Sequence, residues 1–177
     1  MALTTNQTPR NMTYRQLVEM FQQIAYNHHQ LNNNFTDGSI DDIDIEKLDI
    51  KQFPFLHVSP LPVSIDAQTI TYSFEIIVAD MTELDNIVDR RAANVRAASP
   101  EGDAYSETLN IIKDVIANFR QNIQTGSWVE AASELQMPIT AEPFRARFAN
   151  ILIGWTSTIS VMCQNTNNLC DVPQTMN

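Results

Sequence analysis

Apolar residues recur along this chain in two rhythms, and the switch between them predicts the elements. Tyr14, Leu17, Val18, Phe21, Ile24, Ala25 and His28 fall at helical spacing, the stripe of an amphipathic helix. Thr13 and Gln16, three residues apart, have the form of a capping box at its start. His28 continues the stripe, so it reads as a packed histidine rather than a ligand. A second stripe, Tyr105, Leu109, Ile112, Ile116, Phe119 and Ile123, predicts a helix over 105–123, with Gly126 beyond its end as a stop. Elsewhere the period is two. Ile70, Tyr72, Phe74, Ile76 and Val78 alternate with Thr69, Thr71, Ser73 and Glu75, a strand with one buried face. Before it, Phe53 to Val58 leads through Pro60 and Pro62 to Val63 and Ile65, with a short turn at 66–68. The prolines remove ladder donors and exclude a central strand over that stretch. Together these runs make a long antiparallel hairpin.

Residues 128–139 predict another strand or a ragged pair, closed by Pro138 and Pro143. From Phe148 to Cys163 the odd positions Ile151, Ile153, Trp155, Ile159, Val161 and Cys163 are apolar, and Thr156, Thr158 and Ser160 fill even ones. Gly154 inside that strand marks a bulge or a close backbone approach. The resulting fold class is α+β: an antiparallel sheet with a long β-hairpin packed against two main helices. Residues 1–11 read as a flexible arm, 12–164 as a single domain, and 165–177 as a loose tail. Within the domain, 80–104 is a polar excursion carrying Arg90, Arg91 and Arg96, the one close cluster of positive charge. The stretch from Asp37 to Asp49 holds Asp37, Asp41, Asp42, Asp44, Glu46 and Asp49 and reads as a solvated acidic loop, with a short edge strand where Ile43 and Ile45 alternate with acids.

At 177 residues the chain has room for one core rather than two. Its formal net charge of −10 opposes phosphate binding, which needs clustered Lys and Arg to release counterions. No membrane-length apolar run and no apolar leader segment is present, so a soluble protein is expected. Cys163 and Cys170 are too few for a disulfide framework or a structural zinc site and read as reduced thiols.

Candidate chemistry is sparse. His28 and His29 are adjacent and His57 stands alone, without metal-ligand spacing to a carboxylate. The acidic stretch fails the EF-hand pattern, because position 3 counted back from Gly38 is Phe35. The four glycines lie far apart, so no phosphate-cradling loop exists, and there is no G-x-S-x-G elbow. No catalytic, metal or cofactor-binding residues are expected. A nucleophile assembled from Cys163 and His57 is weighed and set aside, since Cys163 fits the buried face of its strand, where a thiol is inert.

With the elements placed, three stretches carry a resemblance. Residues 13–21 are similar to the opening helix, and 53–60 with 71–80 to the hairpin, of the small neck and tail-completion (tail-terminator-like) proteins of tailed bacteriophages, particularly Bacteroidetes phages including crAss-like ones. Gly154-Trp155 and residues 168–173 resemble that family's closing signature. The chain departs from it at His57, where the family has an aromatic residue, and in the length of the 80–104 excursion. The resemblance implies a tail-terminator-like fold and a virion protein, assembled in the host cytoplasm. It implies a non-enzymatic ring, sixfold or twelvefold, at the head–tail junction, with portal, connector or tail-tube proteins as neighbours, DNA only as passing cargo, and no membrane. Candidate subunit contacts are Arg90, Arg91, Arg96, Phe55, His57 and Val58, and the acidic loop would face the bore or a neighbouring ring. The competing expectations are a small monomeric ligand-binding or regulatory α+β domain, and an enzyme using Cys163 or the acidic row.

Overall fold

The computed structural model describes residues 12–39, 53–82, 100–125, 133–147 and 151–165. In chain order these form α1 (Tyr14–Asn27), β1 (Phe35–Asp37), β2 (Phe55–Pro60), β3 (Ser64–Ile65), β4 (Thr69–Thr82), α2 (Pro100–Thr125), β5 (Ser133–Leu135), β6 (Ala141–Arg147) and β7 (Ile151–Gln164). The fold is α+β, two helices on a seven-stranded sheet. The sheet is antiparallel except at one margin, where β1 runs parallel to β2.

Its axis is the pairing of β4 with β7, unbroken from Thr69↔Gln164 to Thr82↔Ile151. Each of these strands is flanked on its other side by two shorter segments. β2 and β3 share the free side of β4, and β5 and β6 share that of β7. Pro60 and Pro62 fall where β2 gives way to β3, and Pro138 falls between β5 and β6. Pro62 and Pro138 have no N–H to give and lie in the gap that divides each flank, whereas Pro143, expected to close a strand, is paired with Trp155 inside β6.

The helices cover one face. α1 starts at the expected capping box: the Thr13 hydroxyl accepts from Gln16 N–H at 3.3 Å, and Gln16 Oε1 accepts from Thr13 N–H at 2.8 Å. α2 begins at Pro100, five residues before the expected start. Proline suits a first helical turn, and Glu101 and Asp103 there complement the helix dipole. The buried stripe of α2 also differs from expectation. Ala104, Thr108, Ile111, Ile112, Val115, Phe119 and Ile123 are buried, while Leu109 and Ile116 sit at its rim.

Between helices and sheet lies the main core, built around aromatic rings. Phe21 of α1 stacks on Phe119 of α2 at 4.2 Å and meets Phe74 of β4 edge-on at 5.7 Å, and Tyr14 stacks on Phe74 at 5.4 Å. Such contacts add roughly 0.5–1.5 kcal/mol each to the burial of the rings. The alternation in β4 holds for Ile70, Phe74, Ile76 and Val78, but the far face is not wholly polar. Ile77 and Ala79 join Phe55 and Leu152 in a second apolar cluster there, with Phe53 and Phe144 against it. The unbroken run Ile76 to Ala79 therefore marks a stretch buried on both faces, as continuous apolar runs do.

Gly154 lies at the centre of this second cluster and is a close-approach glycine. A Cβ on it would collide with the Val78 carbonyl oxygen and stand 2.9 Å from Ala79 Cα and 3.0 Å from Phe144 Cε1. Two of these three atoms are backbone of β4 and cannot step aside. Gly154→Ala is expected to lower stability by about 3 kcal/mol or more, the range of severe overpacking. Urea unfolding monitored by circular dichroism measures this, with exposed Thr158→Ala as a control within about 0.5 kcal/mol of the parent.

Candidate interaction surfaces

Below the second apolar cluster the far face of the sheet turns polar. Ser73 and Glu75 of β4 lie opposite Ser160 and Thr158 of β7, with Thr156 next along β7 on the same face. Their side chains bond to one another: Ser73 to Ser160 at 3.0 Å, and the Thr156 hydroxyl to Glu75 Oε1 at 3.0 Å. A hollow of about 400 Å³ opens here between Glu75, Glu142 and these hydroxyls. Among the described residues no group of three or more His, Cys, Asp or Glu is placed to hold a metal ion.

The expected contact residues of the hairpin are placed differently from the expectation. Val58 points to the helices and is wholly buried, Phe55 belongs to the second apolar cluster, and His57 is 1% exposed. Their side chains are used inside the subunit and are not free to meet a neighbour, which removes them from the contact surface. Of the acidic set, Asp37 ends β1 and is exposed. Asp41, Asp42, Asp44, Glu46 and Asp49 lie outside the described residues, as do Arg90, Arg91, Arg96, the N-terminal arm, the tail and Cys170.

His57 has a role that periodicity did not reveal. Its Nδ1 is 2.9 Å from the Thr36 hydroxyl and its Nε2 is 2.9 Å from the Ser59 hydroxyl. A serine on an imidazole is the contact by which a base activates a nucleophile. Ser59, however, is 7% exposed, and the chain of three supplies partners to polar groups in apolar surroundings. Burial lowers the His57 pKa, against the opposing pull of the Gly38 backbone and of Asp37 and Glu75. Cys163 is likewise buried, and burial pushes its thiol up to about 11, away from the reactive thiolate.

At the other end of β4, Asp80 faces α2. Burial raises its pKa; the Met81 N–H at 2.8 Å opposes that shift and Glu107 adds to it. The first turns of α2 are tied to the sheet around it. Arg145 pairs with Glu101 at 2.7 Å, Trp155 Nε1 donates to the Tyr105 carbonyl at 2.9 Å, and the Tyr105 hydroxyl donates to the Phe144 carbonyl at 3.2 Å.

A groove of about 400 Å³ runs between the outward sides of the helices. Gln23 and Asn27 of α1 form one wall, and Asp114, Asn118 and Asn122 of α2 form the other, each set at intervals of four residues. His28 closes one end, 8% exposed, with its ring stacked on His29 at 5.0 Å. His28 is packed, as its place in the α1 stripe implied, but its Nε2 meets no hydrogen-bond partner. No helix among the described residues is long and apolar enough to cross a membrane. In comparisons with known proteins, neither a family model nor a curated protein matches this sequence.

Buried His57 and half-buried Asp80 act on stability with opposite signs. His57, held below its ordinary pKa, contributes stability that is complete above about pH 6.5 and is lost as pH falls through the lowered value. Asp80, held above its ordinary value, favours the fold most below about pH 4, and that contribution is lost as pH rises through the raised value. Asp80→Asn is therefore expected to raise the melting temperature at pH 7, with the gain shrinking toward pH 4. His57→Asn is expected to flatten the fall in stability below pH 6.5. Thermal melts across pH 4–8 check both.

Proposed function

We propose that this chain is a structural subunit that assembles with copies of itself into a ring at the head–tail junction of a tailed bacteriophage, as a neck, connector or tail-terminator protein. The resemblance of the opening helix, the hairpin and the closing strand supports the setting. The observation that carries assembly is the tip of the β2–β4 hairpin. Pro62 to Gln68 is exposed throughout, and it carries Val63 at 43% and Ile65 at 72% exposure. These side chains are two residues apart, so in extended chain they share a face and suit an apolar patch on a neighbouring copy. The two-residue β3 beside them pairs only with β4 among the described residues, leaving an outer edge for a neighbour.

A head-to-tail contact of this kind closes into a ring when the rotation per subunit divides the circle. With a formal net charge of −10 per chain, the bore would repel the phosphate backbone and let DNA pass without adhering. Portal, connector or tail-tube proteins would be the neighbours above and below.

Sedimentation velocity with negative-stain imaging tests the proposal. The parent chain is expected to form six- or twelve-membered rings as concentration rises. The Val63→Ser/Ile65→Lys variant is expected to stay monomeric with its stability within about 0.5 kcal/mol of the parent, as for other surface changes. A parent chain that remains monomeric from nanomolar to hundreds of micromolar, or a variant that assembles like the parent, overturns it.

A further inference from the structure

We propose that the hairpin tip of one copy seats on the opposite edge of the sheet of the next copy, at Met137 and Pro138 between β5 and β6. The inference rests on the reading of this chain as a self-assembling subunit and names the surface that receives the tip. Among the described residues the exposed large apolar side chains are Tyr26 on α1, Val63 and Ile65 at the tip, and Met137. Met137 is 55% exposed although Leu135 before it is buried and Ile139 after it packs against the main core. Nothing inside the subunit takes its side chain.

The sheet sets the two patches at one height on opposite edges. Leu61 N–H donates to the Ser73 carbonyl, Ser73 pairs with Ser160, and Gln136 N–H donates to the Ser160 carbonyl. Val63 and Met137 both stand within two residues of that row. They also share a face. Ile65 lies opposite Ile70, on the side of the sheet that meets the helices, and Val63 is two residues from it. Met137 falls midway between Leu135 and Ile139, which both turn to that side. A copy placed beside another in the plane of the sheet therefore brings the tip to Met137 without a shift along the strands.

Strand direction favours the same arrangement. β3 runs antiparallel to β4, β4 to β7, and β7 to β5. β3 of one copy would thus meet β5 of the next as an antiparallel neighbour, the commoner pairing at an exposed edge. The two patches differ, so the contact is head-to-tail and each copy can extend the row by one more. Asp66 beside the tip and Glu134 in β5 are both exposed acids and repel across such a contact. Apolar burial holds it, and salt strengthens it by screening.

Cross-linking tests the proposal. Two chains are made, Ile65→Cys and Met137→Cys, each also carrying Cys170→Ser and keeping buried Cys163. Within one chain three strand spacings of about 4.8 Å separate the edges, too far for a disulfide, whose Cα atoms lie within about 7 Å. Under copper phenanthroline the mixture of the two chains is expected to give a disulfide-linked dimer, and neither chain alone. Met137→Lys is expected to raise the concentration needed for assembly at least about tenfold without moving the melting temperature. Mixed with the Val63→Ser/Ile65→Lys chain, it is expected to form one-to-one dimers and nothing larger, because each chain keeps one working edge. Rings of the parent chain with no cross-link in the mixture, a cross-link in either chain alone, Met137→Lys assembling like the parent, or rings that dissolve as salt is raised overturns this contact and leaves the ring reading standing. A parent chain that never assembles overturns both.

Discussion

Every other part of this fold is attached to the fourteen-residue ladder between β4 and β7. Each strand offers one face to the helices and one free side to two short flanking strands, so their register fixes where all the remaining elements lie. Gly154 is what lets the two strands come together at Ala79. There the backbones approach too closely for any Cβ, and the Phe144 ring covers the position instead. An aromatic side chain over a strand glycine restores the packing that the glycine lacks. The same Phe144 carries the carbonyl that receives the Tyr105 hydroxyl, so the close approach also helps set where α2 meets the sheet.

That ladder divides into two halves of different character. Near Ala79 it is apolar on both faces and is tied to α2 through Trp155, Tyr105 and Arg145. Near Thr69 it is apolar only toward the helices, and its far face carries hydroxyls and Glu75. The difference explains why β2 makes poor contact material while the hairpin tip makes good material. β2 lies against the doubly buried half, between β1 and β4, where Phe55, His57 and Val58 all have partners within the chain. The tip lies beyond the end of β2, where nothing requires Val63 or Ile65 to turn inward.

Much of this was legible in the sequence where a single local rule decides the outcome. Thr13 and Gln16 announce a helix start because the capping box needs only those two side chains. Alternation in β4 and β7 located both central strands and the face that meets the helices, and Gly154 marked the close approach. Legibility failed where the deciding partner is distant in sequence. Ile77 and Ala79 are buried on the far face by Phe55, Leu152 and Phe144, and alternation counted within β4 cannot detect those neighbours. The expected stripe of α2 holds at Ile112, Phe119 and Ile123, but the buried face also takes in Ala104, Thr108, Ile111 and Val115, which shifts it away from Leu109 and Ile116. The parallel β1 is three residues long, too short for any periodicity. The meeting of His28 with Asp114 was hidden by distance: the whole hairpin and the start of α2 lie between them, and each alone looks ordinary.

The hairpin tip and the His28–Asp114 contact occupy opposite ends of the molecule. Phe21 stacks on Phe119, and His28, later in α1, faces Asp114, earlier in α2; the helices therefore run antiparallel. α1 begins beside β4 near Tyr72, whose hydroxyl donates to the Met12 carbonyl at 3.1 Å, and this is the end that carries the hairpin tip. It finishes near β1, at the end that carries His28. Contacts made through Val63 and Ile65 would thus leave the His28–Asp114 groove open on the outer side of the helices.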